Sequence, residues 1–174
     1  MEKFAIYGRV VLSEFPDWFP EFYARHGAFF DKHVTLKQAC LAEEADTSRV
    51  QSLLESFFAT RFVADGQINL VFDRVRADPL GDCIMVDSQR SETLNTLQAS
   101  LLQCLKDHRN YEKSETEKYE KNFDPHITIA DNMTPEETMA ALRELPKEFV
   151  LKGGIEEIVL IVDGILTTFL LKNG

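Results

Sequence analysis

Apolar residues along the chain fall into short alternating runs separated by helical stripes. "FAIYGRVVL" near the N-terminus reads as a first strand. It is followed by an aromatic-rich stretch punctuated by Pro16 and Pro20, which predicts a short helix stopping at Gly27. Val50, Leu53, Leu54, Phe57 and Phe58 then recur at i, i+3, i+4, i+7 and i+8, the stripe of an amphipathic helix over 47–60 with Asp46 or Thr47 as its cap. "INLVFDRV" and "CIMVD", joined through Pro79 and Gly81, predict a hairpin. Ser91 opens a helix expected over 92–108, with Leu94, Leu97, Leu101 and Leu105 on one side. Residues 110–123 mix charges with few aliphatics, so an exposed, mobile loop is expected there. Thr134, Pro135 and Glu137 spell a capping box with proline at the first helical position, starting a helix to about Leu145. "IEEIVLIV" and "ILTTFLLK", divided by Asp163 and Gly164, predict a second hairpin.

Two of the strands repeat one polar pattern, a histidine and a threonine two residues apart. "DKHVTLKQ" alternates His33 and Thr35 with Val34 and Leu36, and "FDPHITIAD" alternates His126 and Thr128 with Ile127 and Ile129. A period of two puts the histidine and threonine of each strand on one face and the aliphatics on the other. Each histidine strand is followed by a helix and two strands. Corresponding points recur at nearly constant offsets, 33 with 126, 47 with 134 and 68 with 155. The halves therefore read as a diverged internal repeat forming two like lobes within one domain, 1–174, whose equivalent strands face each other across a cleft.

The chemistry available to such a cleft is proton transfer at a phosphate. An imidazole with an ordinary pKa of about 6.5 serves as base or acid near neutrality. Two of them can take a proton from water or a hydroxyl and give one to a leaving oxygen without a metal. The threonine hydroxyls can donate to non-bridging phosphate oxygens. One His-x-Thr-x tetrapeptide carries little information, but two copies from only 4 histidines at equivalent points of a repeat carry much more. A metal site using His33 and His126 with Asp124 or Asp131 fits less well, because His-x-Thr lacks a second close ligand on either strand.

"HVTL" and "HITI", the second preceded by Pro125, make the chain resemble the two-histidine phosphoesterase superfamily over essentially its whole length. This group includes 2′-5′ RNA ligase-like proteins, cyclic nucleotide phosphodiesterases and 2′-5′ oligonucleotide phosphodiesterases. The resemblance implies an α+β fold, bilobal and pseudo-twofold, with two antiparallel sheets flanked by helices around a central cleft. It implies His33 and His126 as catalytic residues and Thr35 and Thr128 as phosphate-binding residues, with no cofactor and no metal. The expected activity is metal-independent cleavage of a 2′,3′-cyclic phosphate or of a 2′-5′-linked or cyclic oligonucleotide. RNA end-processing or 2′-5′ ligation in the same site, and a non-catalytic nucleotide-binding module, are the alternatives. Asp131 stands near where ligase-like members often carry a basic residue, which weighs against a large tRNA-like substrate.

Composition narrows the partners further. The formal charge is −10, unfavourable for long duplex nucleic acid, which leaves a small nucleotide or oligonucleotide, or an RNA end, as the expected substrate of a monomer. The three cysteines, Cys40, Cys83 and Cys104, form no close pair and read as reduced, mostly buried thiols. No signal-like n-region or membrane-length apolar run occurs, so a soluble cytoplasmic protein without a membrane partner is expected. Trp18, Phe19, Phe22, Tyr23, Phe29 and Phe30 could stack a base, and Lys32, Lys37 and Lys121 could bind phosphate. Their residue types favour core packing and solvation instead. His26 and His108 read as residues at helix ends.

Overall fold

A computed structural model describes residues 1–27, 31–60 and 66–171 of the chain. Phe29 and Phe30 lie outside the described residues. Among these, seven strands and five α-helices alternate in an α+β fold: β1 (Glu2–Glu14), α1 (Phe19–His26), β2 (His33–Ala42), α2 (Glu44–Thr60), β3 (Ile68–Ala77), β4 (Ile84–Ser88), α3 (Glu92–Cys104), α4 (Glu117–Lys121), β5 (His126–Ala130), α5 (Pro135–Glu144), β6 (Leu151–Val162) and β7 (Ile165–Leu170). Among the described residues, no helix is long and apolar enough to cross a membrane.

The expected boundaries have clear local causes. Ser91 Oγ accepts from Leu94 N at the start of α3, and Thr134 and Glu137 bond reciprocally in the capping box of α5. Asp163 and Gly164 both have positive φ, 44° and 87°, the backbone of a two-residue hairpin turn. Two boundaries differ from expectation. α2 begins at Glu44, ahead of the expected cap, and Thr47 is buried with its hydroxyl on the Glu44 carbonyl and the Glu2 carboxylate. α3 ends at Cys104, and turns rather than helix carry Leu105 into the core.

All strand pairs are antiparallel, in the order β2-β1-β6-β3-β4-β5, so the strands expected in two sheets are joined in one hydrogen-bonded network. β6 makes the join. One edge runs along β1, while the other pairs Leu151–Ile155 with β3 and Glu157–Val162 with β7. The order is symmetric about the boundary between β6 and β3, with β1 matching β4 and β2 matching β5. By chain order β7 would occupy the place beside β2; β1, from the N-terminus, occupies it instead. The two histidine strands are the terminal strands of this order, and the sheet curls until their backbones approach within 8 Å.

Curling is driven by the faces. Phe4, Ile6 and Val10 of β1, Val34 and Leu36 of β2, Ile68, Leu70 and Phe72 of β3, and Ile127 and Ile129 of β5 share one core with Val50, Leu54 and Phe57 of α2 and the leucines of α3. Each such side chain removed from water is worth about 1.5–3 kcal/mol. With the aliphatics fixed inward, period two leaves His33, Thr35, His126 and Thr128 on the opposite face.

Candidate active site

Each histidine is held in the same way. Nδ1 of His33 lies 2.8 Å from the Asp31 carbonyl oxygen, and Nδ1 of His126 lies 2.9 Å from that of Asp124. A carbonyl oxygen only accepts, so Nδ1 carries the proton in both rings and a neutral imidazole presents Nε2 as its basic nitrogen. The Tyr7 ring packs against that of His33, with centroids 4.9 Å apart. Both histidines and both threonines are half-buried, while Val34, Leu36, Ile127 and Ile129 between and beyond them are at most 1% exposed. The alternation read from the sequence is thus realised on both strands.

A cleft of about 270 Å³ brings His33 of β2 together with Thr128 of β5. Thr35 and His126 stand two residues along the same strand faces and do not line it. Asp31, Asp82, Cys83 and Asp131 complete much of its wall, an acidic border that the motif alone does not announce. Burial, followed by the charges of Asp78 and Asp82, pushes the Cys83 thiol up to about 12. The Asp131 amide donates to the His26 carbonyl at 3.3 Å, pinning the end of β5 to α1.

Sequence reasoning missed the charged neighbours of the two histidines. Arg9 lies directly across from His33 and Asp87 directly across from His126, so each shares a face with its imidazole. Arg9 Nη1 donates to Glu157 at 2.6 Å, and its Nε lies 3.5 Å from the Asp31 carboxylate. Asp87, 1% exposed, accepts from Arg74 Nε at 2.8 Å and Arg76 Nε at 2.9 Å, and both guanidinium groups also reach Asp124. The aspartate two residues before each histidine therefore gives its carbonyl to the imidazole and its carboxylate to arginine. The signal was present as Asp-x-His-x-Thr in both copies, Asp31 in one and Asp124 in the other.

The expected loop over 110–123 is not free. It contains a 3-10 turn, Ser114–Thr116, as well as α4, and Glu120 of α4 is buried against β2. Glu120 accepts from Lys37 Nζ at 3.2 Å, Tyr111 Oη at 2.7 Å and the Gln38 amide at 2.7 Å. Burial, then the Glu120 bond, pushes the Tyr111 phenol well above its ordinary value. Lys37, expected in solvent, is 1% exposed, and Lys121 pairs with Glu117 at 3.1 Å. Of the candidate aromatics, Phe19 and Phe22 are core and Trp18 packs on it.

Among the described residues, the side chains whose ligand atoms lie close enough together to hold a metal are Asp78, Asp82 and Cys83. Asp78 is already occupied by the amides of Leu80, Asp82 and Cys83.

The family model of the 2′-5′ RNA ligase superfamily matches residues 15–164. The chain belongs to this superfamily. Solved structures share its fold. One is E. coli LigT complexed with 3′-AMP, with TM-score 0.55 and 16% identity over 98% of this chain and 95% of that one. A second is the MHV ns2 PDE domain, with TM-score 0.56 and 14% identity over 92% and 99%. A third is Kluyveromyces marxianus Usb1 with uridine monophosphate, with TM-score 0.53 and 10% identity over 98% of each chain. No curated protein matches the chain. For a superfamily member at such low identity to these structures, the arrangement of its own residues carries the functional reading.

Proposed function

We propose that this chain is a metal-independent phosphodiesterase that cleaves a 2′,3′-cyclic phosphate or a 2′-5′-linked or cyclic oligonucleotide, with His33 and His126 as its acid and base. The observation that carries the reading is the matched setting of the two imidazoles, each with Nδ1 within hydrogen-bond distance of the backbone carbonyl of an aspartate two residues upstream. In hydrolysis of a cyclic phosphate, Nε2 of the neutral ring takes a proton from water as the water oxygen bonds to phosphorus. Nε2–H of the other, cationic ring gives its proton to the ribose oxygen as the P–O bond breaks. Thr35 and Thr128 hold the non-bridging oxygens through this step. LigT, Usb1 and the ns2 PDE domain, solved with 3′-AMP, with uridine monophosphate and as a phosphodiesterase domain, support a nucleotide phosphoester as substrate class.

The test is incubation with nucleoside 2′,3′-cyclic phosphates, 2′-5′ oligoadenylates and cyclic dinucleotides, with and without excess EDTA, followed by chromatography. Hydrolysis that survives EDTA is the expected result. Activity lost to chelation and restored by one metal would move the chemistry to metal-assisted hydrolysis. Joining of RNA ends without hydrolysis would make the chain a ligase, and binding without turnover a nucleotide-binding module.

A further inference from the structure

A second groove, of about 540 Å³, opens beside the candidate active site between the end of β1 and α1. Its size falls within the ordinary range for small-molecule sites. Asp31 borders both this groove and the cleft of His33 and Thr128, and Lys32, the residue before His33, lies in the groove. The two spaces therefore meet at residues 31–33.

Its lining combines an apolar wall with two cations, Arg9 and Lys32. Phe15 and Val11 are 48% and 51% exposed, and the ring of Phe15 continues a row of aromatics through Phe19 to Tyr23. Arg9 contributes little free charge, because Glu157 and Asp31 already engage it. Lys32 differs. Its ammonium sits over the Tyr23 ring, 4.0 Å from the centroid, and among the described residues no carboxylate lies within ion-pair distance of it. Burial holds its pKa below the ordinary lysine value, although Asp31 acts in the opposite direction. An ammonium partly withdrawn from water, held over a ring and, among the described residues, outside ion-pair distance of any carboxylate is suited to an anion. An exposed phenyl beside it is suited to the face of a base.

We propose that this groove is a nucleotide subsite, taking the nucleoside next to the scissile linkage with its base against Phe15 and Val11 and a phosphate oxygen on Lys32. Tyr23 is the positioning residue for the ammonium. The proposal rests on the phosphodiesterase reading and narrows its substrate class. The preferred substrate spans at least two nucleotides, one at the histidines and one in the groove.

Adenosine 5′-monophosphate, which has no diester to cleave, is the direct probe. Its titration should shift the NMR ring signals of Phe15 and Tyr23, and the Kd read from those signals should rise about tenfold in Lys32→Ala and in Phe15→Ala. Both side chains reach solvent, so circular dichroism should show the variants folded. Unmoved ring signals, or an unchanged Kd in both variants, would overturn the subsite. Kinetics separate the subsite from the reading beneath it. The kcat/KM ratio of 5′-phosphorylated 2′-5′ diadenylate to adenosine 2′,3′-cyclic phosphate should fall about tenfold in Phe15→Ala. A ratio unchanged from wild type would count against the subsite. A wild-type protein inactive on both substrates that still shows the ring shifts would overturn the phosphodiesterase reading while upholding the nucleotide site.

Discussion

Cys83 is half-exposed at the rim of the cleft, yet its thiol is pushed up to about 12 by burial and by the carboxylates of Asp78 and Asp82. The thiolate is the reactive form, so iodoacetamide at about pH 8 should modify Cys83 far more slowly than a free thiol with the ordinary value near 8.5. Mass spectrometry of timed samples reads this directly, and labelling as fast as the free thiol would contradict it. At the same scale, Thr128→Val should lower turnover by about 10²-fold on a cyclic phosphate, since it removes a hydroxyl donor and leaves both imidazoles in place. The histidines and threonines were legible in the sequence because the same His-x-Thr-x tetrapeptide recurs at equivalent points of an internal repeat. Arg9, Arg76 and Asp87 were not, because alternating polar residues on a strand look the same whether they meet solvent or an imidazole. Only the cross-strand register sets Arg9 beside His33 and Asp87 beside His126.

Elements stood out in the sequence wherever a local device marks them, as with the capping box of α5 and the Asp163-Gly164 turn. The segment before β5 shows the opposite case. Its charges suggested a loose loop, but Glu120 docks on Lys37 of β2 through 83 residues of chain separation, which no local pattern reveals. Lys37→Met should cost about 3–5 kcal/mol in urea unfolding, because it leaves the Glu120 carboxylate buried without its cation. Lys37→Met combined with Glu120→Leu should recover part of that loss. The turn between β3 and β4 depends on Asp78 in a pH-dependent way. Burial raises its carboxyl, but the amides of Leu80, Asp82, Cys83 and Gly81 outweigh burial and hold it below the ordinary value. A carboxyl depressed in the folded state adds stability above its unfolded pKa of about 3.9 and loses it as pH falls through the lower folded value. The Tm deficit of Asp78→Asn should therefore be largest near neutrality and shrink below about pH 4, and a deficit constant across that range would contradict the amide cage.

At the scale of the whole molecule, the sheet joins two histidine strands that are 93 residues apart and at opposite ends of its order. That one residue of each strand, His33 and Thr128, lines a common cleft could be anticipated from the repeat. That β1 stands beside β2 could not, because β7 has the equivalent place in the chain and only the long shared strand β6 decides between them. The superfamily and the fold give this chain a phosphoester framework, and the central claim is that His33 and His126 act together within it. Turnover of His33→Ala and His126→Ala on the best phosphodiester substrate, with folding checked by circular dichroism, tests it most directly. Each should lose about 10²–10⁴-fold in kcat, and the double variant should be little worse than either single one. A folded single variant that keeps near wild-type turnover would contradict the two-histidine account.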